Sequence, residues 1–307
     1  MQEQIEAVQR MQDYIREHLC EDISLAQLAK ASLFSPWHAR RLFLEYTGLT
    51  PAEYIRKLRL KETALRLRDK DEKVVDVALE YGFKSVDGYQ RAFYREYGYN
   101  PKSYATHPVP LKLFTPYGVK FKRVERGDRI LSNTRKIFMQ VIEKPERKVI
   151  IKRGIAATGY WAYCEEVGCD VWGILTSIKS ISGEPVCLWL PKEYVIPGTS
   201  EYVQGVEVEP GYSGVIPEGF DIITLPAAKY LMFQGEPFEE QDFALAIEEI
   251  QDAEKKYDPS LLGYRWDDTN PKIQLEPIGS RGYIELVAIC EDTIKTRKRL
   301  FGGDENV

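Results

Sequence analysis

The chain has little of what a metal site, a disulfide scaffold or a secreted or membrane protein needs. It has three histidines, and its five cysteines (Cys20, Cys164, Cys169, Cys187 and Cys290) form no Cys-x-x-Cys pair. That argues against zinc and against a disulfide framework, and it makes a reducing cytoplasm the expected location. Apolar runs such as Val149–Ile151 fall far short of the ~20 residues a membrane span requires. The first residues, MQEQIEAVQR, contain no apolar stretch of the kind a secretory signal carries. No Ser-His-Asp, Cys-His or metal-ligand set is visible, so ordinary hydrolysis lacks its residues, and neither cofactor nor catalytic residue is expected. What the 307 residues do have is a globular balance, 44% hydrophobic and 29% charged. This excludes a wholly disordered or collagen-like chain, and the length suits about two domains.

The net charge of −5 hides an asymmetry. Residues 1–107 carry 17 Lys/Arg and 16 Asp/Glu, 108–153 carry 13 and 4, and 154–307 carry 12 and 27. A near-neutral front, a basic middle and an acidic back suit separate domains, one facing an anion and another a cation. The front is helical by period: Ile5, Val8, Met11, Ile15 and Leu19 recur at spacings of three and four. Ser24, Ser35-Pro36, Thr50-Pro51 and Ser85 read as helix starts, and Gly48, Gly82 and Gly98 as stops. Within this region RRLFLEYTGLTPAEYIR (40–56) repeats as QRAFYREYGYNPKSYAT (90–106). Arg41, Phe43, Gly48, Pro51 and Tyr54 pair with Arg91, Phe93, Gly98, Pro101 and Tyr104 at an offset of 50. Ala29 and Phe34 pair with Ala78 and Phe83 at an offset of 49. Two copies of one helical unit are therefore joined by a long helix over 51–69.

A short helix, a tight turn and a capped second helix make a helix-turn-helix, whose second helix offers its first residues to base edges in the major groove. Arg40, Arg41 and Arg91 lie within two turns of Ser35 and Ser85, and arginine forks onto guanine. Trp37 suits a sugar or a thymine methyl. Lys84, Arg56, Lys102 and the helix-start N–H groups suit phosphates. The stretches SLAQLAKASLFSPWHARRLFLEYTGLTPAEYIRKLRL and DVALEYGFKSVDGYQRAFYREYGYNPKSY resemble the DNA-binding domain of the AraC/XylS family over about 100 residues. The resemblance implies two recognition helices of one protomer in successive major-groove segments. Its reading positions fall on Trp37, Arg40 and Arg41, then on Val86, Asp87, Gly88, Gln90 and Arg91. The second set departs from the usual polar start. Asp87 either accepts from a cytosine amino group or merely caps its helix, and Gly88 has no side chain to offer.

From about residue 137 the period becomes two. Strands are expected at 138–142 and 148–152, a helix over 164–181, and strands at 188–190 and 202–208. A second round follows: strands near 219–225 and 227–235, a helix over 238–257, and strands near 271–276 and 282–290. Glu207 and Glu285 stand in the last strand of each round with apolar flanks, and a buried carboxylate needs a partner. The segments ATGYWAYCEEVGCDVWGIL, YVQGVEVE, PEGFDIITLPAAKYLMFQGE and RGYIEL resemble the GyrI-like effector-binding domain. That implies two pseudo-symmetric strand-strand-helix-strand-strand units holding a lipophilic, often cationic, small molecule. Glu285 and then Glu207 match its central carboxylate, with Trp161, Tyr163, Trp172, Tyr230, Trp266 and Tyr283 as candidate aromatic walls.

The expected organisation is thus multidomain: an all-α tandem helix-turn-helix domain (1–107), a basic connector (108–136), an α+β GyrI-like domain (137–292) and a C-terminal tail (293–307). The order looks like a Rob-type regulator. It implies a ligand-responsive transcription regulator, an activator by analogy, with promoter DNA, a small effector and RNA polymerase as partners. A tandem reader can act as a monomer. The alternative is a GyrI-like hydrolase or sequestering protein for electrophilic or lipophilic toxins.

Overall fold

The computed structural model describes residues 2–116, 136–168, 170–239 and 242–292. Most of the expected connector and the whole tail lie outside these residues. The described chain forms two compact units. One is helical and contains everything up to residue 116 together with 172–179, and the other holds the remainder. No helix among the described residues is long and apolar enough to cross a membrane.

The helical unit has seven helices before residue 107: α1 (Gln2–Glu17), α2 (Leu25–Ser32), α3 (Pro36–Thr47), α4 (Pro51–Asp69), α5 (Val74–Glu80), α6 (Val86–Tyr97) and α7 (Pro101–Thr106). Their boundaries follow from the caps. Ser24 and Thr50 each close a capping box with the residue three positions on, Gln27 and Glu53. The Ser35 and Ser85 hydroxyls accept the N–H of His38 and Gly88. Gly48 and Gly98 end α3 and α6 at φ +75° and +76°, a backbone region where a Cβ is costly. The repeat extends to side-chain contacts. Phe43 packs edge-on against Tyr54, with ring centres 5.2 Å apart, and Phe93 meets Tyr104 at 5.6 Å.

Helix α4 serves both copies. Tyr54, Ile55 and Leu58 join the core of α1–α3, while Leu60, Ala64 and Leu67 join that of α5–α7. Arg59, between the two sets, donates to the carbonyls of Leu19 (2.9 Å) and Glu21 after α1 and of Gly82 (3.2 Å) after α5. One guanidinium thus ties both halves to the shared helix. Residues 172–179 pack with this unit and make two hydrogen bonds to it. Leu111 N–H donates to Ser177 Oγ at 2.8 Å, and Arg68 donates to the Thr176 carbonyl at 2.6 Å.

The two copies solve their tight turn differently. The left-handed position after α2 is Leu33, at φ +63° and 79% exposed. Its repeat equivalent is Gly82, at φ +73°. A side chain at 82 would be strained and would also meet the Arg59 guanidinium, since a Cβ there lies 2.9 Å from its carbon. At 33 the side chain is free to point into water, and only the backbone strain is paid. Leu33→Gly removes a left-handed penalty of about 1–2 kcal/mol and adds about 0.5–1 kcal/mol of unfolded-state entropy cost. Thermal unfolding is therefore expected to rise by a few degrees or hold, whereas Gly82→Leu is expected to lower it sharply. A clear fall for Leu33→Gly contradicts this account.

The second unit is built on one antiparallel sheet. Its elements are β1 (Ile137–Lys144), β2 (Arg147–Arg153), α8 (Tyr160–Val167), α9 (Asp170–Ser177), β3 (Val186–Trp189), β4 (Tyr202–Val208), β5 (Asp221–Leu225), β6 (Ala228–Gly235), α10 (Phe243–Lys256), β7 (Tyr264–Trp266), β8 (Lys272–Gln274) and β9 (Ile284–Glu291). From Trp172 onward α9 belongs to the helical unit. The strand order is β1-β6-β9-β8-β3-β4-β2-β5, with β7 beside β9. The two strand–strand openings, β1–β2 and β5–β6, are exchanged: β1 pairs with β6, and β2 with β5. The chain turns between these strands at Pro145-Glu146 and at Pro226-Ala227. The helix expected over 164–181 is two helices, because Gly168 adopts φ +101° and ends α8. The three-residue strand β7 was not anticipated.

Candidate nucleic-acid interface and buried polar clusters

Apolar positions three and four apart bury one side of each recognition helix and leave the other open. In α3, Ala39, Leu42 and Phe43 are buried, while Trp37 (70% exposed), Arg40, Arg41 and Leu44 form the outer stripe. In α6, Tyr89 and Phe93 are buried, and Asp87, Arg91 and Tyr94 are exposed, with Gln90 half-buried beside them. Lys84, Arg56 and Lys102 are exposed, while Val86 and Gly88 are partly covered. The candidate readers therefore fall on two equivalent stripes. Sequence reasoning missed Tyr94, 62% exposed and three residues past Arg91. The repeat offset of 50, applied to Leu44, would have found it. Val86, Gln90 and Lys102 also line an open groove of about 730 Å³ with Arg68 and the 69–75 segment.

The two stripes differ in what stands behind the arginine. The Arg41 guanidinium lies over the Trp37 indole at 5.2 Å from its centre. Trp37 meets the His38 ring edge-on at 6.4 Å, and His38 stacks on Phe34 at 4.8 Å. At the equivalent places α6 has Asp87 and Gly88. A Cβ at 88 would come 2.9 Å from the Ser85 hydroxyl that caps the helix.

In the sheet unit the two carboxylates singled out from the sequence are both fully buried, on opposite faces. Glu207 accepts from Arg147 Nε at 2.6 Å and from Lys144 Nζ at 2.7 Å. Arg147, also fully buried, donates onward to the Tyr230 hydroxyl at 3.1 Å and to the Pro145 and Pro226 carbonyls at 3.3 Å each. Its guanidinium thereby joins the two turns at which the strands exchange. Glu207 is neutralised by the protein's own cations. Arg147 was not foreseen, because at the start of a basic strand it reads as a solvated charge. An open pocket of about 810 Å³ adjoins Lys144, lined also by Lys229, Asp267 and Glu291.

Glu285 lies in a row that crosses the sheet through paired Gln204, Cys187, Gln274, Glu285 and Phe233. Its partners are the Tyr283 hydroxyl, the Lys272 ammonium and Gln251 Nε2 at 3.3 Å. Lys272 also binds Glu254 at 2.7 Å and sits 5.1 Å from the centre of the Trp189 ring. Burial pushes the Glu254 carboxyl up to about 8, helped by Glu285 beside it and opposed by Lys272. Burial and then the Glu285 charge hold the Tyr283 hydroxyl well above its usual range.

Because the folded Glu254 holds its proton more tightly than an unfolded glutamate, the native state binds the extra proton between the ordinary carboxylate range and about pH 8. Stability from this group is present at low pH and is lost as pH rises through that window. Glu254→Gln is expected to gain stability relative to the parent between pH 5 and pH 8.5, read as the difference in urea midpoints. A difference that does not change with pH contradicts this.

The candidate walls do not all gather round one carboxylate. Tyr283 reaches Glu285, and Tyr230 reaches the Arg147–Glu207 pair. The Tyr163 hydroxyl donates to the Lys152 carbonyl at 2.6 Å. Trp161 is half exposed and packs against Phe243 with ring centres 6.0 Å apart. Trp172 belongs to the helical unit. Trp266 lies half-buried on β7, paired with Ile289 of β9. Trp189, Lys272, Glu254 and Gln251 complete the Glu285 cluster and were missed, since they come from three elements whose register the sequence does not give.

Residues 28–107 match the family model described as a helix-turn-helix domain. The chain is 38% identical over 84 residues to a probable transcription factor, PqrA, of Proteus vulgaris, which covers 27% of this chain and 69% of that one. It is 33% identical over 97 residues to the regulatory protein SoxS of Salmonella typhimurium, covering 32% and 91%. An uncharacterized HTH-type transcriptional regulator of Bacillus subtilis, YbfP, is 37% identical over 109 residues, and the match spans only 36% of its length. The family model lies wholly within the helical part, where the two capped recognition helices stand. On these grounds the chain belongs to the AraC family of helix-turn-helix transcriptional regulators.

Proposed function

We propose that this protein is a sequence-specific regulator of transcription that reads double-stranded promoter DNA with α3 and α6, through Arg40 and Arg41, with Trp37 alongside them, on one and Asp87, Gln90 and Arg91 on the other. The observation that carries this is the presence of two capped helices exposing Arg41 and Arg91 at equivalent places of the repeat. Lys84, Arg56 and Lys102 add phosphate contacts. The names of the relatives, a probable transcription factor and a regulatory protein, agree with this role.

The remaining chain is proposed to be a GyrI-like domain, over about 137–292, that senses a lipophilic cation. The support is the Glu285 cluster, in which two carboxylates and an indole face already hold an ammonium, that of Lys272, while the Tyr283 hydroxyl donates to Glu285. Occupancy would act by binding two states of the protein unequally. Activation, with RNA polymerase as partner, and a cytoplasmic location complete the proposal.

The test is selection of genomic fragments by the purified chain at ~0.15 M salt, with and without a panel of lipophilic cations. Enrichment of a bipartite site with half-sites about one turn (~34 Å) apart is expected, as is a change of occupancy with one or more cations. Absence of sequence enrichment overturns the DNA-reading role. Enrichment indifferent to every cation overturns the cation sensor.

A further inference from the structure

We infer that Trp37 and His38 are positioning residues that hold Arg41 for base reading, and that the protein consequently reads its two half-sites with unequal stringency. The inference rests on the proposed DNA-reading role of α3. Arg41 is exposed, and a free arginine loses several rotatable bonds' worth of freedom when it docks on a base edge. Here part of that loss is already taken. The guanidinium lies on the indole of Trp37, the indole is braced by the ring of His38, and His38 is stacked on Phe34. Phe34 in turn packs on the core of the first helical copy. A line of rings thus runs from the core to the fork that would meet the base. Arginine suits such a mount because its planar group stacks on an aromatic face while its N–H edge stays free to donate.

The second copy has the same arginine and none of the mount. Asp87 takes the place of Trp37 and Gly88 that of His38, while Phe83 keeps the place of Phe34. Phe83 instead packs edge-on with Tyr89 at 4.9 Å. Gly88 has no side chain with which to brace residue 87 or reach Phe83. Arg91 therefore pays its full ordering cost on docking. The half-site read by α3 should tolerate few base changes, and the one read by α6 should tolerate more.

The experiment measures base-by-base discrimination by the full chain on the enriched site at one fixed salt, and affinity over a salt series, for the parent and for Trp37→Ala, Trp37→Phe, His38→Ala, Arg41→Ala, Arg91→Ala and the Trp37→Ala/Arg41→Ala pair. Arg41→Ala should erase about tenfold to a hundredfold discrimination at one base pair. Trp37→Ala should reduce discrimination at that same base pair by about three- to tenfold, and His38→Ala by less. The base pair lost in Arg91→Ala and the slope of affinity against salt should not move. Trp37→Phe should restore most of the loss. In the Arg41→Ala background Trp37→Ala should remove nothing further at that base pair. Additive losses in the double variant, or unchanged discrimination in Trp37→Ala, overturn the positioning role. Equal tolerance of the two half-sites in the parent overturns the asymmetry. If Arg41→Ala leaves every base preference intact, the reading role of Arg41 itself fails, which is a different result from failure of its mount.

Discussion

Arg41→Ala combined with Arg91→Ala is expected to lower the ratio of specific to non-specific DNA affinity by roughly two to four orders of magnitude, at about 1–3 kcal/mol per arginine that forks onto a base. The two side chains stand on separate helices of the repeat, so their effects should add. Residual binding should persist and fall steeply with salt, because Lys84, Arg56 and Lys102, the proposed phosphate contacts, are untouched. Both arginines are exposed, and neither takes part in the cores. The double variant should therefore unfold at the parent's temperature. Competition of labelled specific fragment against random duplex measures the ratio. A ratio unchanged within threefold removes both residues from base reading.

Glu207→Ala is expected to destabilise the protein by about 3–5 kcal/mol, the usual cost of stranding one member of a buried ion pair. The stranded member is Arg147, fully buried, whose Nε would lose its carboxylate while its other nitrogens stay fixed on Tyr230, Pro145 and Pro226. Lys144 is partly exposed and can turn to water, so it adds little to the cost. Replacing both partners by apolar residues, Arg147→Met with Glu207→Leu, should recover much of the loss. It should not recover all, since the bridge from Arg147 to the two exchange turns goes with it. Urea midpoints of the three variants decide. A Glu207→Ala loss below about 1 kcal/mol would mean that the pair is not closed in solution, which would reopen Glu207 as a carboxylate for a ligand.

The helical unit was legible in the sequence because its signals are local. A cap, a 3–4 period and a stopping glycine lie within one helix length, and the repeat states each of them twice. Ser35, Ser85, Gly48 and Gly98 therefore gave both recognition helices and their outward stripes. The burial of Glu285 and Glu207 was legible from their apolar flanks. Their partners were not, since Lys272, Glu254 and Gln251 reach Glu285 from β8 and α10, and Arg147 reaches Glu207 from β2. Such pairings depend on register and on strand exchange, which alternation alone leaves open. The candidate walls were dispersed for the same reason. Trp172 was assigned to the back half by chain position, whereas packing joins residues 172–179 to the helical unit.

Two equivalent helices are proposed to read the major groove through Arg41 and Arg91. Guanine N7 lies in that groove and is shielded from methylation by a docked arginine. Dimethyl sulfate protection on the enriched fragment should show two clusters of shielded guanines about 10 base pairs apart. The first cluster should be lost in Arg41→Ala alone and the second in Arg91→Ala alone. Shielding that survives both substitutions, or none in the parent on a fragment it binds specifically, would contradict the account.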